Sequence, residues 1–255
     1  MEFARNRLYA VITGDIVGSS RLTVEERRKA QALLASEAQE LGRTLHVAPP
    51  LKAIVLFRGD SWQLIVKDPV LSLRVGLSIR THLRAGMASN TVDTRLSIGV
   101  GTIEFVPSDN ISAGDGEAFR RSGEGLDHRM KTVRLVVELE PGDDPLRREA
   151  LGSIIQLMDA LVTGLTHPQA QAVHGALAGG TQETIGVGWR PKPISQQAVA
   201  QHLDKAGWHA LCRGLEFFET YLRKAVPAAA SDRPSEGKTK ELGKKEKPRR
   251  TKNKR

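Results

Sequence analysis

Along the first half of the chain the hydrophobic pattern changes period in a fixed order, and that order leaves few folds open. Residues 8–17 form an apolar run of strand length. Thr23 and Glu26 follow at capping-box spacing, where hydroxyl and carboxylate each accept from the other's orphan N–H. Ala30, Leu33, Leu34, Ala38 and Leu41 then recur on one helical face, with Glu25, Lys29 and Gln39 off it. Residues 51–57 and 61–66 are short apolar runs around a three-residue break, the pattern of a hairpin. Asp68-Pro69 supplies an N-cap and a pre-set first residue for a second helix. Its buried stripe is Val70, Leu73 and Leu77, with Val75, Ile79 and Leu83 beside them. A polar loop over 86–93 leads to a strand over 95–105, a helix over 117–129 and a strand over 132–138. The order β-α-β-β-α-β with an extra α-β predicts an α+β, ferredoxin-like, palm-type domain over residues 1–140. Two amphipathic helices would cover one face of its sheet.

In that topology the first and third strands pair antiparallel in mid-sheet. Asp15, at the end of the first, then falls beside Asp60, at the start of the third. Two neighbouring carboxylates suit a hard divalent ion, Mg or Mn, bridging to phosphate oxygens. Gly18, Ser19 and Ser20 come next, small enough for backbone N–H groups to approach a phosphate just ahead of a helix. The competing reading is structural. An Asp in a Gly-containing turn commonly accepts backbone hydrogen bonds, and the small triplet can be an ordinary tight turn.

The stretch Asp15-Ile16-Val17-Gly18-Ser19-Ser20-Arg21-Leu22 resembles the first metal-binding segment of class III nucleotidyl cyclases. Gly59-Asp60 resembles their second metal carboxylate, and Arg95-Leu96-Ser97-Ile98-Gly99-Val100-Gly101 their following core strand. The likeness covers roughly residues 8–138. It implies a metal pair at Asp15 and Asp60 and a nucleotide or other phosphorylated ligand. The same alignment puts Arg120 and Glu124 where active cyclases carry an Asn and an Arg that stabilise the transition state, and Leu56 where they carry a base-reading Lys. A carboxylate cannot replace a guanidinium against phosphate charge, so standard cyclase activity is not expected. With Tyr9-Ala10-Val11-Ile12-Thr13-Gly14-Asp15-Ile16-Val17 near its start, the chain also resembles the bacterial SatD family, over nearly all of its length before the tail. That likeness implies a palm-like domain followed by a helix-turn-helix-like part, and no settled activity.

Pro141-Gly142-Asp143-Asp144-Pro145 reads as a linker, and the pattern beyond it is helical. Leu151, Ile154, Ile155, Met158, Leu161, Val162 and Leu165 mark a strongly apolar helix. Further helices are expected over 168–178, from Thr181, from a Ser195 cap to Lys205, and over 211–222. Residues 181–186 and 194–208 resemble the helix-turn-helix of sigma-factor region 4, with a longer turn over 187–193. In that reading residues 146–226 form an all-α DNA-binding domain held by Ile185, Val199 and Leu203. Ser195, Gln196, Gln197 and Gln201 would face outward, the amides reaching base edges in the major groove and Ser195 a phosphate, and Arg190 and Lys192 would add phosphate contacts. The alternative is a helical bundle used to form a homodimer.

Charge is uneven. The net charge is +9, but residues 231–255 hold 11 Lys+Arg against 4 Asp+Glu, a net of +7, leaving +2 for residues 1–230. Residues 227–255 therefore read as a disordered basic tail, which either attracts nucleic acid or merely solubilises the chain. A lone cysteine, Cys212, excludes an intrachain disulfide and a thiolate cluster. The 7 His show no metal-ligand spacing. The first residues lack the apolar run of a signal peptide, and no stretch approaches the ~20 apolar residues of a membrane span, so a cytoplasmic location without membrane contact is expected. The expectation for function is a DNA-binding regulator with a degenerate, metal- and nucleotide-binding sensory domain. A divergent metal-dependent nucleotidyl transferase or cyclase, and a structural adaptor with both sites vestigial, remain the alternatives.

Overall fold

The computed structural model describes residues 3–4, 7–44, 55–57, 60–87, 92–107, 110–129, 133–139 and 144–225, with the backbone alone at 55–57 and 128–129. It is an α+β structure around a five-stranded mixed sheet. Strands β1 (Tyr9–Ile16), β2 (Val55–Phe57), β3 (Ser61–Val66), β4 (Thr94–Gly101) and β5 (Leu135–Glu138) lie in the order β2-β3-β1-β4-β5. The β4–β5 pair is parallel and the others are antiparallel. β1 is central, as the pattern predicts, and pairs along its whole length with β4.

Side-chain alternation divides the sheet into two buried faces. Ala10, Ile12 and Ile16 of β1, Trp62, Leu64 and Val66 of β3, and Leu96, Ile98 and Val100 of β4 belong to the larger core. Helices α1 (Val24–Thr44) and α2 (Ser72–Gly86) cover it through Ala30, Leu34, Ala38, Leu73, Leu77 and Leu83. The capping box forms: Thr23 N donates to Glu26 Oε2 at 2.9 Å and Glu26 N to Thr23 Oγ1 at 3.2 Å. Asp68 accepts from Val70 N at 3.1 Å, capping a 3-10 turn (Pro69–Leu71) that runs directly into α2. On the opposite face Tyr9, Val11 and Ile65 meet Ala118 and Phe119 of α3 (Glu117–Arg129).

The strand expected over 95–105 ends earlier, at Gly101. Beyond it Phe105 only bridges Asp115, while Ile103 and Val106 turn in to fill the α3-side core. Residues 51–54, 58–59, 141–143 and the tail from 226 lie outside the described residues, as do the expectations that fall on them.

Five helices complete the chain: α4 (Pro145–Thr163), α5 (His167–Leu177), α6 (Gln182–Val187), α7 (Gln196–Lys205) and α8 (Trp208–Ala225). Asp144 caps α4 by accepting from Arg147 N at 3.2 Å. Their apolar faces join those of α1 and α2 in one continuous core, from Leu151, Met158 and Val162 through Val173 to Phe218 and Leu222. A buried charge network crosses the same junction. Arg80 of α2, fully buried, donates to Asp93 at 2.9 and 3.0 Å and also to Asp159 of α4. Among the described residues no helix is long and apolar enough to cross a membrane.

Candidate functional site

The end of β1 carries its carboxylate between two strands. The register sets Asp15 opposite Ser61 of β3 and opposite Arg95 of β4. Asp60 immediately precedes β3, and its carbonyl accepts from Ile16 N at 3.1 Å. Asp15 and Asp60 both line a cleft of about 510 Å³, together with Gly18, Ser19, Ser20, Arg95 and Arg134. The close approach here requires Gly14. A Cβ at that position would lie 2.5 Å from the Trp62 indole and 2.8 Å from the Arg95 carbonyl. After β1 the chain turns through Gly18 in the left-handed region, φ 67°. That turn swings the Ser19 hydroxyl onto Asp60 Oδ2, to which it donates.

The dominant interaction in the cleft is an ion pair. Arg95 Nε lies 2.7 and 3.0 Å from the two Asp15 oxygens, and Nη2 lies 2.6 Å from Oδ2, a bidentate fork. Hydrogen bonding to Asp15 pushes the Arg95 guanidinium's pKa up against the effect of partial burial, and the charges of Asp15, Asp127 and Asp60 add to it. Arg134 enters from the other wall, with Nη1 2.8 Å from Asp93 Oδ2. Asp93 also accepts from Val17 N through its carbonyl at 2.8 Å, so the loop beside the cleft is tied to the buried network.

The donor set of two carboxylates and two hydroxyls is of the hard-oxygen type that suits Mg or Mn. In this structure the Asp15 carboxylate is paired with the Arg95 guanidinium. Arg95 and Arg134 were not singled out from the sequence. Arg95 had a signal, since a basic residue starts the strand that the topology pairs with β1. Arg134 follows residues whose pattern indicates nothing beyond a strand.

The residues aligned with the cyclase transition-state pair do not join this cleft. Arg120 is exposed and pairs with Asp115 at 2.9 Å and Glu104 at 3.3 Å, and Glu124 is exposed on α3. The Leu56 side chain lies outside the described residues.

In the C-terminal helices Ile185, Val199 and Leu203 are buried, packing α6 against α7. Trp189, in the longer connection, is buried and stacks on His202 with centroids 5.3 Å apart. Arg190, Lys192, Ser195, Gln196, Gln197 and Gln201 are all exposed. Ser195 is committed locally as an N-cap, accepting from Ala198 N at 3.2 Å. The sequence matches no protein-family model and no curated protein.

Proposed function

We propose that the chain is a DNA-binding regulator whose sheet domain, a ferredoxin-like palm of the cyclase and SatD kind, senses a phosphorylated ligand. The observation that carries this reading is the Asp15–Arg95 fork inside a polar cleft. A phosphate matches the same bidentate geometry as a carboxylate and can take Asp15's place on Arg95. Asp15, released, would join Asp60 in holding a Mg or Mn ion that accompanies the ligand and neutralises its charge. Gly18, Ser19 and Ser20 would line the phosphate's other side.

The buried network gives the occupied cleft a physical connection to the helical part. Arg134 lines the cleft, bonds Asp93 at 2.8 Å, and donates its backbone N–H to Asp159 of α4 at 2.8 Å. Movement of Arg134 toward a phosphate would therefore load the contact that seats α4. The exposed α7 N-terminus, with Gln196, Gln197 and Gln201, offers amide side chains able to reach base edges, and Arg190 and Lys192, exposed on the adjoining connection, would add phosphate contacts. The longer connection is compatible with this use because Trp189 anchors it.

The competing enzyme reading draws on the same two carboxylates, but Arg120 and Glu124 offer no transition-state cation in the cleft. Purified protein given Mg²⁺ or Mn²⁺ with ATP or GTP should release little cyclic nucleotide or pyrophosphate. Robust turnover that disappears in Asp15→Ala would replace the regulator with an enzyme.

A further inference from the structure

A second cluster lies away from the cleft, where α1, α2 and α5 meet. Glu37 of α1 is nearly buried, yet its carboxylate faces two imidazoles rather than a permanent cation. Glu37 Oε2 lies 3.0 Å from His174 Nε2 of α5 and 3.4 Å from His82 Nδ1 of α2. One ligand atom from each of the three residues lies within 4.8 Å of the other two. Donors bound to a tetrahedral zinc ion at about 2.0–2.1 Å stand about 3.3 Å apart, so two of the three edges are already near their liganded length.

Two further polar atoms of this cluster, on Glu37 and His82, are held from behind. Ser78 Oγ donates to Glu37 Oε1 at 2.7 Å, fixing the carboxylate with Oε2 turned to the imidazoles. Ser36 Oγ lies 3.4 Å from His82 Nε2, leaving Nδ1 directed at Glu37. Metal sites characteristically orient their ligands through such outer contacts. Both imidazoles are about a quarter exposed, which leaves a solvent-facing position for a water as fourth ligand. A metal binds the neutral form of each imidazole, so its uptake should release protons and strengthen as pH rises.

We propose that Glu37, His82 and His174 form a binding site for one divalent transition-metal ion, zinc by its donor set, which clamps α5 to α1 and α2. Two imidazoles and a carboxylate with an open fourth position form a recurrent zinc set, whereas Mg²⁺ prefers an all-oxygen shell. The site is independent of the phosphorylated-ligand cleft, since it shares no residue with it. The three ligands come from distant parts of the sequence, so no local spacing announces them. The helix that supplies His174 leads into α6 and α7, and a bound ion would stiffen the seat of those helices.

The test uses the tag-free, chelator-treated full chain, titrated with Zn²⁺ by calorimetry and with Co²⁺ by visible absorption. One ion should bind per chain, raise the unfolding temperature, and give the intense Co²⁺ bands of a four-coordinate site. Excess Mg²⁺ should not displace it. His174→Ala and His82→Gln should each weaken binding about 100-fold or more, and Ser78→Ala about 10-fold, within the range that outer-shell contacts command. The His82→Gln variant keeps the test valid should His174→Ala fold poorly. The proposal is overturned if the wild-type chain binds no stoichiometric Zn²⁺ or Co²⁺, or if both His variants bind as the wild type does.

Discussion

Asp93→Asn should be among the most damaging conservative substitutions in the chain. Asp93 is fully buried and is the shared counter-ion of three guanidiniums: Arg80 at 2.9 and 3.0 Å, Arg84 at 3.0 Å and Arg134 at 2.8 Å. Asparagine keeps the volume and one acceptor but removes the charge. Arg80 would then keep Asp159 and Thr163, and Arg84 the Leu165 carbonyl. Breaking a buried pair by removing one partner costs about 3–5 kcal/mol. For a chain of this size that is a fall of roughly 10 °C in unfolding temperature, at 2–4 °C per kcal/mol. Burial pushes the Asp93 carboxyl up, but the Arg80 and Arg84 charges, with hydrogen bonds from Arg80 and Arg134, hold it below the usual carboxylate range. A group depressed in the folded state contributes stability that is present above its unfolded pKa and lost as pH falls through the folded one. The gap between wild type and Asp93→Asn should therefore hold from pH 7 to 5 and narrow below about pH 4. Urea unfolding followed by circular dichroism at stepped pH measures both. A loss under about 1 kcal/mol at pH 7, or a gap that widens in acid, would refute the assignment of Asp93 as the shared counter-ion.

Other substitutions separate packing from recognition. Gly14→Ala would drive a methyl into the Trp62 indole 2.5 Å away, and overpacking of this kind costs about 1–3 kcal/mol, read as a lower urea midpoint with an unchanged slope. Deleting residues 231–255 removes a net +7 and should flatten the salt dependence of DNA binding while leaving preference among selected sequences intact. Gln197→Ala should do the reverse, lowering discrimination by roughly 1–3 kcal/mol with the salt slope unchanged. If selection on the shortened chain enriches no sequence, α7 is a packing element and the tail alone explains any binding.

The sheet-bearing half was legible because its sheet is two-sided and its period clear. Ala10, Ile12 and Ile16 alternate with Tyr9 and Val11, and both sets are buried, so residues 8–17 read as a central strand. The early end of β4 was not legible, because Ile103 and Val106 look like strand residues and are recruited by tertiary contact with α3. The carboxylate side of the cleft followed from topology, since the order of elements fixes which strand ends are neighbours. Its basic side followed only at Arg95, which the topology sets beside Asp15, whereas Arg134 resembles an ordinary surface arginine until packing sets it against Asp93. The Glu37, His82 and His174 cluster was invisible for the same reason: it exists only once three helices from both halves pack.

The central claim is that the Asp15–Arg95 pair is a ligand site. Calorimetric titration of the full chain with ATP, GTP and pyrophosphate, each with Mg²⁺ or Mn²⁺, tests it most directly, run in parallel on Arg95→Ala and Asp15→Ala. The account predicts that at least one of these binds with one-to-one stoichiometry. Arg95→Ala should weaken that binding about 10- to 100-fold, the value of a charged hydrogen bond of about 1.5–3 kcal/mol, and leave stability within about 1 kcal/mol because the pair is partly exposed. Asp15→Ala should remove the dependence on the divalent ion. The account is contradicted if none of the three ligands binds, or if one binds equally well to wild type and both variants.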